Sequence, residues 1–185
     1  MKGFLIGLVA VFLVIGVAVM SLYNGIVTKH ETITAKWAQV ESQLQRRLDL
    51  IPNLVNSVKG YAAHEKTVFE EVTKARSAWT GAATMDDKVK AASSMDSAIS
   101  RLLLVAENYP QLKADGTFLK LMDELSGTEN RIAVERMRYN EAVKDYNITV
   151  RQFPANIVAG SFGYKPATEY FKAQEKASVA PEVKF

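Results

Sequence analysis

Three charged residues stand where the apolar repeat of a helix would place hydrocarbon. Glu129 and Arg136 lie one heptad apart in a run that otherwise reads Phe118, Met122, Leu125, Ile132, Tyr139, Val143, Tyr146 and Val150, and Arg47 takes the matching phase between Leu44 and Ile51. A charge in a bundle core is costly unless paired, so these residues are expected to meet one another or a further carboxylate such as Asp49 or Glu107. The resulting buried charge network, Arg47, Asp49, Glu107, Glu129 and Arg136, admits two kinds of chemistry. Sealed and mutually paired, it holds helices in register. Open to solvent, it could bind an anion or small molecule, or bring carboxylates together for acid/base work. The second use needs a cleft, and no motif in the chain announces one.

Other chemistry is thinly represented. The two histidines, His30 and His64, have no carboxylate at the four-residue helical spacing of zinc sites, and His64 to Lys66 (HEK) reads as a solvated face. There is no phosphate-binding glycine loop, nucleophile elbow or Ser/His/Asp order, and Gly160 to Gly163 (GSFG) reads as a turn. Cysteine is absent, which removes disulfides and thiolate metal sites. The expectation is no catalytic residue, no metal and no cofactor. Taking Lys2 from the 23 basic residues leaves 22 against 20 acidic ones, and the signs alternate along the chain instead of forming a basic stripe. Nucleic acid is therefore not an expected partner.

The elements that would position these residues begin with a membrane span. Gly3 to Leu22 runs without a charge, and at about 1.5 Å per residue it covers the roughly 30 Å hydrocarbon core. A cleaved secretory signal is the competing reading. The apolar run exceeds a signal core of about 7–15 residues, and Ala18 and Met20 do not form a small-x-small cleavage site, so an uncleaved anchor is expected. Lys29 and Lys36, followed by Arg46 and Arg47, lean the domain behind the span toward the cytoplasm, while a free terminal amine beside Lys2 would pull the other way. Both orientations stay open.

Beyond the span the pattern is helical. Trp37, Val40, Leu44, Ile51, Leu54, Val58, Tyr61, Val68, Val72, Ala75 and Trp79 form one seam, which predicts a single helix kinked near Pro52, with Gly60 as a second weak point. A second helix is predicted to start at Thr84, where Asp87 completes a capping box, and to stop at Pro110. Lys113 to Thr117 reads as a loop, and a third helix runs from Phe118 to Val150. No sustained alternation supports a strand. The fold class is all-α: an N-terminal transmembrane helix (1–28), then a long-helix antiparallel bundle (29–164) and a C-terminal tail (165–185) with a short docked helix and a mobile end. Gly3 and Gly7 share a GxxxG spacing suited to helix packing in lipid, and Ile157, Val158, Phe162, Tyr164, Tyr170 and Phe171 are apolar residues left over after the third helix. These eight are the interaction candidates.

Arg46 to Glu65 (RRLDLIPNLVNSVKGYAAHE), Ala106 to Phe118 (AENYPQLKADGTF), Glu129 to Asn147 (ENRIAVERMRYNEAVKDYN) and Phe153 to Gly160 (FPANIVAG) together resemble the LemA family of bacterial membrane-anchored proteins. Asp115 stands where many relatives have Asn. The resemblance implies a four-helix bundle behind a single span in the bacterial plasma membrane, with no established enzymatic activity. It also implies an envelope setting, with TPM-domain proteins or membrane peptidases as possible partners and one branch in magnetosome membranes. The expected function is a membrane-anchored scaffold or interaction protein of the cell envelope, a homo-oligomer without catalysis of its own. The alternative is a ligand-sensing bundle, or an enzyme, built on the polar core around Arg47, Glu107, Glu129 and Arg136.

Overall fold

The repeat of three and four that runs through the apolar residues becomes helix almost throughout. The computed structural model describes residues 2–171, in which the chain forms α1 (Lys2–Tyr61), α2 (Lys66–Gly81), α3 (Met85–Glu107), α4 (Pro110–Lys113), α5 (Gly116–Arg151) and α6 (Ala155–Ser161). Among the described residues there is no strand, and the fold is all-α. Two compact units share these helices: Met1–Ala38 with Met137–Phe185, and Gln39–Arg136.

In the Gln39–Arg136 unit, α1 buries Val40, Leu44, Leu48, Ile51, Leu54 and Val58. Pro52 lies inside this stretch without ending the helix. A proline in a helix interior costs about 3 kcal/mol. Fully burying side chains such as its neighbours Ile51 and Leu54 returns about 1.5–3 kcal/mol each, which is enough to keep α1 running. The break comes later. After Tyr61 the chain turns through residues 62–65 before α2 begins, so the single kinked helix predicted as far as Trp79 is in fact two. The turn also resets the phase: Ala62 and Phe69 are buried, while Tyr61 is exposed and Val68 only half-buried. Gly60 had marked the site, since glycine weakens a helix.

The helix starts follow local chemistry. The Thr84 hydroxyl accepts the Asp87 backbone N–H at 3.1 Å and donates to the Asp87 carboxylate at 2.6 Å, capping α3. Asp115 accepts the N–H groups of Thr117 and Phe118, both at 2.9 Å, so the Asp-Gly pair of the loop is the cap of α5. Those bonds, Phe118's foremost, hold the Asp115 carboxyl below its ordinary range.

In the other unit, α1 and α5 run antiparallel. Lys29 pairs with Asp145, the His30 ring meets Tyr146, and the Trp37 ring meets Tyr139. α6 buries Ala155, Val158 and Ala159. Residues 164–171 form no helix and lie against α5 as a strap. The remainder of the expected tail, residues 172–185, falls outside the described residues. The span, residues 3–22, is long and apolar enough to cross a membrane, and its most apolar window is not covered by the protein.

Candidate functional site

Arg47 is the centre of the charge cluster in the Gln39–Arg136 unit. Its apolar neighbours Leu44, Leu48 and Ile51 draw that face of α1 inward and carry the guanidinium with them, leaving it 8 % exposed. Arg47 Nη1 lies 2.5 Å from Asp96 Oδ1 on α3 and 2.8 Å from Glu129 Oε2 on α5. Arg136 Nη2 lies 3.9 Å from the other Asp96 oxygen. One arginine thus ties three helices together.

The expected network is therefore present in part. Arg47, Glu129 and Arg136 come together, but Glu129 is half exposed and reaches in from the rim, while Thr128 takes the buried position beside it. Asp49 and Glu107 do not join. Asp49 is exposed and accepts from Gln45, because a residue two places from Arg47 faces the other side of the helix. Glu107 is exposed at the end of α3, next to the buried Ala106. The carboxylate that does the pairing, Asp96, was not among the candidates. Its signal is its place four residues after Ala92 and three before Ile99, on the edge of α3's apolar stripe.

Burial pushes the Asp96 carboxyl above its ordinary range, and the charge of Glu129 adds to this, while Arg47 and Arg136 draw it back. Burial and the Glu129 charge together thus outweigh the attraction of the two guanidinium groups. The space beside the cluster, lined by Leu44, Arg47, Leu48, Trp79, Ala92, Met95 and Asp96, amounts to about 10 Å³. That is room for one water at most. A larger, open hollow of about 300 Å³ lies between Lys59, Ala63, Lys66, Phe69 and Glu70, where the Lys59 ammonium sits 5.2 Å from the centre of the Phe69 ring. Among the described residues no group of His, Asp and Glu is arranged to hold a metal.

A second polar constellation lies in the other unit. Asn147 Nδ2 donates to the Ala167 carbonyl and Asn147 Oδ1 accepts the Ala167 N–H, both at 2.8 Å. One heptad earlier, Asn140 treats Phe171 the same way at 2.9 and 3.0 Å. Each amide side chain imitates a neighbouring strand, and the strap is held by its backbone. The Tyr146 hydroxyl donates to the Lys165 carbonyl, and the Phe171 ring stacks on Trp37 at 5.7 Å. The two asparagines escaped notice in the sequence, although each directly follows an inward tyrosine, Tyr139 or Tyr146.

The interaction candidates divide accordingly. Val158 is buried, Phe171 stacks within its own chain, Tyr164 packs near Tyr23 and His30, and the Tyr170 hydroxyl lies 3.0 Å from Asn147 Nδ2. These four have contacts within their own chain, and Tyr170 also keeps 39% of its surface exposed. Ile157 and Phe162 remain exposed, and Gly3 and Gly7 have open space where a side chain would be.

The model of the LemA family matches residues 36–185. The chain belongs to the LemA family. Similar proteins include magnetosome protein MamQ 2 of Paramagnetospirillum magneticum, 31% identical over 180 residues that cover 83% of this chain and 65% of that protein. Magnetosome protein MamQ of Magnetospirillum gryphiswaldense is 27% identical, covering 80% of this chain and 64% of its own length. Protein LemA of Metamycoplasma hominis is 26% identical over 121 residues, 65% of this chain and 55% of that protein. This LemA-family chain thus spans somewhat less than two thirds of the relatives it matches. Family membership and the apolar stretch of α1 together describe a membrane-associated helical protein.

Proposed function

We propose that this LemA-family chain is a membrane-anchored scaffold of the bacterial envelope that self-associates and performs no catalysis of its own. The observation that carries the proposal is the closed state of its one buried ionic cluster among the described residues: Arg47 is engaged by two carboxylates, with about 10 Å³ of space beside it. Such a cluster fixes which helix faces meet, which is a structural task. The span retains its apolar surface for lipid or for another span, and the open side of Gly3 and Gly7 supports close packing between copies. The domain is read as cytoplasmic, following the lysines after the span. Partners among other envelope membrane proteins fit a scaffold of this kind.

The ligand-sensing reading draws on one observation, the buried Arg47 Nε that has no hydrogen-bond partner. It requires a pocket to open beside that atom. Crosslinking of the intact protein in membranes separates the readings. Crosslinked multimers that are lost in a Gly3→Ile, Gly7→Ile variant support the scaffold. Multimer-free membranes, together with protection of the Arg47 region by a small anion, would favour the sensor.

A further inference from the structure

The antiparallel pairing of α1 and α5 fixes a level along the span. Tyr139 lies beside Trp37 and Tyr146 beside His30, so seven residues forward on α5 are seven residues back on α1, and the Asp145–Lys29 pair falls in the same antiparallel register to within two residues. Continued to Arg151, the end of α5, this register reaches about Asn24, just past the apolar run. α6 and its flanking residues therefore begin where the span leaves the bilayer. The aromatic contacts agree: the Phe162 ring lies 4.7 Å from Tyr23, the residue after Leu22, and Tyr164 lies 6.2 Å from it.

At this level the protein leaves apolar surface exposed, including the side of the Phe162 ring turned away from Tyr23. Phe153 is 80%, Ile157 60% and Phe162 59% exposed, whereas Ala155, Val158 and Ala159 of the same short helix are buried. Burial of α1 also begins here, with Leu22 and Tyr23 half-covered and Ile26 fully buried. From Tyr146 to Thr168 the chain has no acidic residue, and its only charges are Arg151 and Lys165. Aromatic and aliphatic side chains flanked by cations suit the boundary between acyl chains and anionic headgroups.

We propose that α6, through Phe153, Ile157 and Phe162, is a second membrane contact that lies in the interface of the same bilayer the span crosses. The span alone leaves the domain free to swivel about its root. A foot beside it fixes which side of the domain faces the lipid.

The inference rests on the anchor reading, and the test keeps the two apart. The chain has no cysteine, so single-cysteine variants Leu13→Cys, Ile157→Cys, Phe162→Cys and Ser97→Cys of the full chain can carry an NBD dye in vesicles of phosphatidylethanolamine and phosphatidylglycerol. Leu13 reports the span and Ser97 an exposed site on α3. The expected result is blue-shifted emission at positions 157 and 162 with quenching by shallow lipid nitroxides, deep-lipid quenching at 13, and aqueous quenching alone at 97. Aqueous quenching at 157 and 162 with position 13 still in lipid overturns the foot and leaves the anchor standing. Aqueous quenching at position 13 overturns the anchor, and the foot with it. Shielding of 157 and 162 from both quenchers overturns the lipid contact in favour of a second copy.

Discussion

Arg47 on α1 donates to the Asp96 carboxylate on α3 across 2.5 Å, and the two side chains are 8 % and 15 % exposed. The pair is selective more than it is strong. Burial first, with the Glu129 charge adding to it, lifts the Asp96 carboxyl above its ordinary range despite two nearby guanidinium groups.

The consequence is a non-additive mutant cycle. Arg47→Ala leaves Asp96 without its nearest cation and is expected to destabilise the protein by about 3–5 kcal/mol. Glu129→Gln, on a half-exposed partner, should cost about 0–1 kcal/mol. Replacing the pair together, Arg47→Met with Asp96→Leu, should recover most of the Arg47→Ala loss. Urea unfolding in nanodiscs reads all three. A double variant no more stable than Arg47→Ala would mean that the pair is a net stabiliser.

The strap offers a second check. Asn147→Ala removes two hydrogen bonds to Ala167, each contributing about 0.5–1.5 kcal/mol. Asn147→Asp keeps the acceptor for the Ala167 N–H but sets a carboxylate against the Ala167 carbonyl. Both variants should speed amide hydrogen exchange at Ala167 and Phe171 while leaving α3 unchanged. Unaltered exchange in the strap would show that Phe171 stacking on Trp37 suffices to hold it.

A third prediction concerns alkaline pH. Burial, followed by the charges of Glu169 and Tyr170, pushes the Tyr139 phenol from 10.0 up to about 12. Because the folded value is the higher one, the stability linked to Tyr139 is full below about pH 10 and is lost as pH rises toward 12. Tyr139→Phe should flatten that alkaline limb. A limb of unchanged slope in Tyr139→Phe, followed by circular dichroism, would assign the transition to another group.

The features legible in the sequence are those set by local spacing. Thr84 with Asp87 marks a helix start within four residues, and the α5 seam keeps its phase from Phe118 to Val150, since no turn interrupts it. The break after Tyr61 was half visible: Gly60 marked the place, but the reset that exchanges Val68 for Phe69 depends on how residues 62–65 turn. The charge cluster divided in the same way. An arginine in the seam is conspicuous, whereas its partner lies 49 residues away on the edge of another helix, where an aspartate is unremarkable. Asn140 and Asn147 were opaque for a related reason. What they bind is backbone, which has no sequence pattern of its own.

The central claim is that an anchored LemA-family chain assembles with itself. Native mass determination of the intact protein in lipid nanodiscs tests it most directly. The account predicts species at whole-number multiples of the full 20.5 kDa chain, with the span retained. A monomer across a wide concentration range, or a mature chain beginning near Ser21, would contradict it.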